Sequence, residues 1–281
     1  MRGARAKAFK VISAFLIGTL ILSGCAKYRT PYAGINPENP QFERGISVPP
    51  LDFFGDLISK LPQLFLWNPR YGNHSISKEI EAELAEFIKR YGLKDVHVRI
   101  NQWAPHKEIG RLIVNKNIAW PYKILFFPST LITSIIARPF SGLLMSDYYD
   151  PGSNTINIFS GDTSIALHEA GHAVDFSRQE YKGTYGLARL VTGVNLFQEG
   201  MATDEAIFYL EQSQRYEELL QSYKVLYPAY ATYVSAYISV VPFAYFGALL
   251  VGHWVGRSAA ADKKWQLETE GKIQSAKVIK I

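Results

Sequence analysis

The pentad His168-Glu169-Ala170-Gly171-His172 constrains this chain more than any other stretch, because its residue types make chemical sense together only on a helix. Side chains four apart share a helix face, so the two imidazoles stand one turn apart and converge on one point, with the Glu169 carboxylate beside them. That arrangement offers two donors to a Zn2+ ion and a base to a water bound on it. The chemistry it suggests is hydrolysis. The flanks favour the required helix: Thr163-Ser164-Ile165-Ala166-Leu167 leads in, Ala173-Val174 continues, and Asp162 or Thr163 is an available N-cap. Upstream, Thr155-Ile156-Asn157-Ile158-Phe159 alternates apolar and polar with β-branched residues, which predicts a strand ahead of the helix.

A catalytic zinc takes three protein ligands and keeps a fourth position for water. No histidine follows at the spacing of a three-histidine site, since His253 is the only later one, so a carboxylate is expected. Glu199 lies one turn before Thr203 and is followed by small residues, which lets a second helix come close to the first while Thr203 supports a ligand from behind. Glu205 points nearly opposite on the same helix, so the two cannot face one ion. Glu199 is the expected third ligand and Glu205 the alternative. Asp175, one turn after His172, is placed either to orient an imidazole from behind or as an ordinary helix-end charge.

His168-Glu169-Ala170-Gly171-His172 with a downstream glutamate resembles the gluzincin metallopeptidases, and Glu199-Gly200-Met201-Ala202 is similar to their Glu-Gly-x-Ala third-ligand segment. Asp147-Tyr148-Tyr149-Asp150-Pro151, the strand after it and Glu199-x-x-Ala202-Thr203 also resemble bacterial neutral zinc metallopeptidases. The resemblance covers roughly residues 147–210 and implies zinc, with His168, His172 and Glu199 as ligands and Glu169 as general base. The chain departs from the thermolysin-like pattern: Asp204-Glu205-Ala206-Ile207 imitates it, but Phe208 and Tyr209 follow where a supporting Ser and Asp would stand, which counts against Glu205.

The N-terminus carries Arg2, Arg5, Lys7 and Lys10, then an uncharged apolar run from Val11 to Leu22, then Leu22-Ser23-Gly24-Cys25. This is the pattern of an export signal, residues 1–24. The last four residues resemble the lipobox of bacterial lipoproteins, which implies cleavage before Cys25 and diacylglyceryl and N-acyl attachment there. The apolar run is shorter than a spanning helix needs. Cys25 is the only cysteine, so no disulfide can form within the chain. Loss of the signal removes four basic residues and lowers the formal charge from +5 to about +1. With no basic stripe or recognition motif left, nucleic acid is not an expected partner.

Residues 25–74 are proline-rich and read as a lipid-anchored tether, whose Leu51-Asp52-Phe53-Phe54 and Leu64-Phe65-Leu66-Trp67 lie against the domain or a membrane surface. The compact domain is expected over 75–224. Ser77 caps a helix with Ile80, Leu84, Phe87, Ile88 and Tyr91 on one face, ended by Gly92. Val96–Ile100 and Arg111–Asn115 read as strands, and His74, His97 and His106 as solvated histidines. Together these give an α+β fold, a small sheet packed on zinc-binding helices in a zincin-like arrangement, with a C-terminal apolar helical segment. Ile124–Ile136, interrupted by Pro128, reads as a buried hairpin or a segment dipping into a membrane interface. Residues 225–256 contain a charge-free run, Val225 to Gly252, that is long enough to span a membrane but equally reads as a helical hairpin broken at Pro242. Residues 257–281 form a basic tail.

The expectation from sequence is a membrane-anchored zinc metallopeptidase of the bacterial cell envelope, acting on the exported side on peptide or protein substrates. The alternative is a non-catalytic envelope lipoprotein with a structural or relic zinc site.

Overall fold

A computed structural model of the chain describes residues 34–46, 48–140, 146–191, 193–238 and 242–274. The expected signal peptide and the lipidation position Cys25 lie outside the described residues. The described fold mixes helix and strand, is mostly helical, and contains one small five-stranded sheet. Its strands are β1 (Gly34–Ile35), β2 (Phe42–Arg44), β3 (His97–Ile100), β4 (Tyr148–Asp150) and β5 (Thr155–Ile158), in the order β1-β2-β3-β5-β4. The central three are parallel, and the edge strands β1 and β4 run antiparallel to their neighbours.

The register assigns each face its chemistry. Phe42 pairs with Val98 and Val98 with Ile156, while Ile100 pairs with Ile158, so alternation puts these apolar side chains on one face. All five are 0–1% exposed. Helix α2 (Lys78–Arg90) buries Ile80, Leu84, Phe87 and Ile88 in the same core, and the Ser77 hydroxyl accepts its Ile80 N–H. Arg44 shares the apolar face and is neutralised by Glu81 of α2 at 2.8 Å.

The opposite face is buried but polar. Glu43 and Arg99 pair there at 2.9 Å, and Lys107, Glu108 and Arg111 cover them from α3 (Pro105–Val114). The expected strand at Arg111–Asn115 is therefore wrong: these residues end a helix that Pro105 starts. Five residues with an apolar run between polar ends do not distinguish the two states, and Glu43, which pairs with Arg111 from the sheet, comes from distant sequence. His97 is half-buried in this charged layer and His74 fully buried against Asn101, so neither is the solvated histidine expected. His106 is exposed.

The compact fold also begins earlier than Ser75. Residues 34–44 supply two strands, and Pro49–Phe65 form α1, whose Asp52 meets Arg138 at 2.6 Å. Ile124–Ile136 belongs to a single helix, α4 (Trp120–Ile136), which carries Pro128 without breaking. Three further helices follow the sheet: α5 (Thr163–Ser177), α6 (Lys182–Ala188) and α7 (Val194–Gln212). Among the described residues no helix is long and apolar enough to cross a membrane. The Val225–Gly252 run is split between α8 (Tyr216–Ile238) and α9 (Pro242–Thr269), which pack on each other; a Cβ at Gly256 would lie 2.3 Å from the Tyr223 carbonyl oxygen. The expected basic tail is folded as far as Thr269, with Arg257 over the Trp67 ring and Lys263 on Glu211.

Burial, with the charges of Arg111 and Arg99, lowers the His97 pKa from its ordinary 6.5 to about 4. Below pH 6.5 the unfolded chain binds this proton first, so stability is lost as pH falls from 6.5 towards 4. His97→Gln is expected to flatten that part of the stability profile, read from urea midpoints on either side of the window.

Candidate metal centre

The helix bearing the pentad is buried almost all round. Only Thr163, His168 and Ser177 of α5 fall outside the buried class. It leaves β5 through Gly161, and the Asp162 carboxylate caps it by accepting the Ser164 N–H at 2.9 Å. Helix α7 crosses it at close range: a Cβ at Gly171 would lie 2.4 Å from the Ala202 carbonyl oxygen and 3.0 Å from its Cα. Glycine between the two histidines thus lets a second backbone approach, and Glu199 arrives with it.

His168, His172 and Glu199 converge, with ligand atoms all within 4.8 Å of one another. Glu199 Oε2 lies 3.2 Å from His168 Nε2 and 3.4 Å from His172 Nε2. Donors at about 2.0–2.1 Å from a tetrahedral ion stand about 3.3 Å apart, so these spacings and this donor chemistry fit a dication such as Zn2+. The Thr203 hydroxyl lies 3.3 Å from His168 Nδ1. Glu205 is elsewhere: it pairs with Arg178 and is not brought to the imidazoles. Asp175 does not orient His172 through any described hydrogen bond; its carboxylate accepts the Tyr185 hydroxyl and the Gln179 amide, tying α5 to α6.

Sequence reasoning missed three residues. Arg189, just after α6, donates from Nη2 to Glu199 Oε1 at 2.7 Å, which occupies one carboxylate oxygen and turns the other towards the imidazoles. Tyr71 and Tyr233 line the cleft on both sides of the ligand set. Nothing local in the sequence marks Arg189, and two tyrosines among seventeen carry no signal.

The cleft has two chambers. One of about 320 Å³ contains His168, Glu199 and Thr203, and one of about 690 Å³ contains Glu169, His172, Glu199 and Arg189. Burial pushes Glu169 up to about 7 against the pull of His168. Burial also drives His172 down to about 4, although Glu199 opposes the shift, so that imidazole is neutral. For Glu199 burial acts upwards too, but His172 and His168 hold it well below the usual carboxylate range. Burial lowers His168 as well, and its hydrogen bond to Glu199 reverses the sign.

No protein-family model matches the chain, and no curated protein or solved structure matches it.

Three variants probe the geometry. Gly171→Ala should destabilise the fold by about 1–3 kcal/mol, because the new methyl meets backbone rather than a side chain that can move away; urea denaturation reads this. Thr203→Val should weaken Zn2+ binding about 10–100-fold by competitive chelator titration, while Glu205→Gln leaves it unchanged.

Proposed function

We propose that this chain is a zinc-dependent metallopeptidase of the gluzincin type with a zincin-like core. His168, His172 and Glu199 hold the ion and Glu169 serves as general base. We further read the chain as lipid-anchored through Cys25 on the exported side of a bacterial membrane, acting on peptide or protein substrates. The observation that carries the enzymatic reading is the convergence of the three donors in an open cleft with a second carboxylate, Glu169, beside them. A structural zinc site is closed by four protein ligands, whereas here three donors converge among the described residues and face space enough for a polypeptide.

When bound, zinc lowers the pKa of its water towards neutrality and polarises the carbonyl under attack. The roles of the chain's own groups follow from their positions. Glu169 sits in the larger chamber, where burial raises its proton affinity, and it takes the proton from the attacking water and passes it to the leaving amine. Arg189 holds the Glu199 carboxylate in orientation. Arg189, Tyr233 and Tyr71 are among the donors lining the same chamber, where charge develops on the carbonyl oxygen.

Glu169→Gln should retain about one zinc per chain while peptide hydrolysis falls about 10²–10⁴-fold. Zinc content by atomic emission and cleavage of a peptide library check this together. Undiminished hydrolysis in that variant would remove the mechanism, and stoichiometric zinc with no cleavage by wild type would remove the enzymatic reading.

A further inference from the structure

Two helices beside the cleft are inside out. Helix α1 turns Asp52, Gly55, Ser59 and Gln63 inwards, all of them buried, while Phe54, Leu57, Leu61 and Leu64 are 43–66% exposed. Helix α4 buries Thr130 and Ser134 beside Phe126, while Trp120, Ile124, Phe127 and Ile135 repeat along its outer face at 43–70% exposure. Leu125 and Ile132 widen that face to 57% and 55% exposed. Faces of this size mark a partner or a membrane.

Both helices are tied to neighbouring parts of the fold. Asp52 and Gln63 anchor α1 through Arg138 and the Tyr71 carbonyl, and Tyr122 of α4 bonds Thr184 of α6 at 2.6 Å. Their apolar residues also run up to the mouth of the cleft. Leu61 of α1 lines the chamber containing His168, and Leu125 of α4 lines the chamber containing Glu169.

Two observations select lipid as the occupant. All five tryptophans are exposed, among them Trp120 at the start of α4, Trp67 just after α1 and Trp103, whose indole N–H donates to the Ile135 carbonyl. Tryptophan is ordinarily well buried, and its rigid ring with one polar edge is favoured at the bilayer interface. The second observation is reach. Nine residues lead from Cys25 to Gly34, the first residue of β1, so an anchor at Cys25 keeps the domain within about 30 Å of the membrane.

We propose that the outer faces of α1 and α4 rest in the interfacial layer of a lipid bilayer, so that the metal cleft opens towards the membrane and takes polypeptide at its surface. This rests on the lipid-anchored peptidase reading above and adds to it an orientation and a substrate location.

The test uses the full chain, processed and acylated at Cys25, in vesicles of phosphatidylethanolamine and phosphatidylglycerol. Acylation consumes the only native thiol, so Ile124→Cys on α4, Leu57→Cys on α1 and, as control, Glu86→Cys on exposed α2 surface can each be labelled uniquely with an environment-sensitive fluorophore. All three positions are exposed, so labelling leaves the packing intact. The labels at 124 and 57 should be quenched several-fold more than that at 86 by lipids carrying a nitroxide near the headgroup, and shielded from aqueous iodide. The proposal is overturned if both labels are as open to iodide as the control. It is equally overturned if their shielding grows with protein density and ignores the nitroxide lipid, which would make a second copy the occupant. Acyl mass at Cys25, zinc content and cleavage of a soluble peptide are read separately. A chain that docks without binding zinc removes the peptidase and leaves the docking, and a chain that cleaves with both labels in water does the reverse.

Discussion

The site depends on one close approach, that of α7 to α5 at Gly171 and Ala202, where even a methyl group would strike backbone. Packed interiors transmit such constraints because they have little free volume to absorb them. Helix α5 is buried on nearly every side, so its two imidazoles project from a rigid element, and α7 meets it at the turn between them. Glu199, one turn before Ala202 and Thr203, therefore reaches both rings with a single oxygen. The spacing of His168, His172 and Glu199 is a consequence of backbone packing, and a larger residue at 171 would move the Glu199 carboxylate without touching either imidazole.

The same burial gives two neighbouring carboxylates different fates. Glu199 faces two imidazoles and the Arg189 guanidinium, and these overcome desolvation and hold it ionised. Glu169 has no such partner at ion-pair distance among the described residues, and burial raises it to about 7. Both states suit the proposed roles, since a metal ligand must stay deprotonated, whereas a base works best with a pKa near the operating pH. Separation of two acids by environment is a recurrent feature of hydrolytic sites, and here it follows from the two imidazoles that contact Glu199.

What could be read from sequence follows the range of the signals. The pentad, Glu199, Thr203, the Ser77 cap and strands β3 and β5 are local, set by spacing within a turn or by alternation over a few residues. Arg189 acts on Glu199 from outside α7 and has no spacing rule to reveal it. Strand β2 was hidden for a similar reason: Phe42-Glu43-Arg44 is too short to show alternation, and its charged residues are acceptable in a buried strand only because Arg99, Lys107 and Glu81 meet them. The long apolar run at residues 225–252 was ambiguous because composition reports burial without reporting what does the burying. The run lies on two helices, α8 and α9, and they pack part of it against each other, as at Gly252 beside Pro228 and Ala231.

Helices α1 and α4 carry that ambiguity furthest. Periodicity reveals that a helix has an apolar and a polar face, and the usual inference turns the apolar face inwards. On α1 the polar face has better partners inside: Asp52 finds Arg138, itself 2% exposed, and Gln63 finds the Tyr71 carbonyl. Breaking a buried ion pair on one side strands the other charge, at a cost of about 3–5 kcal/mol. That penalty fixes which face points in, and it does so independently of the apolar residues, which are left free to face something other than this chain. Exposed apolar area of this kind is a liability in water unless a surface covers it. The polar anchors thus hold an apolar rim around the cleft mouth without spending the rim's own side chains on folding.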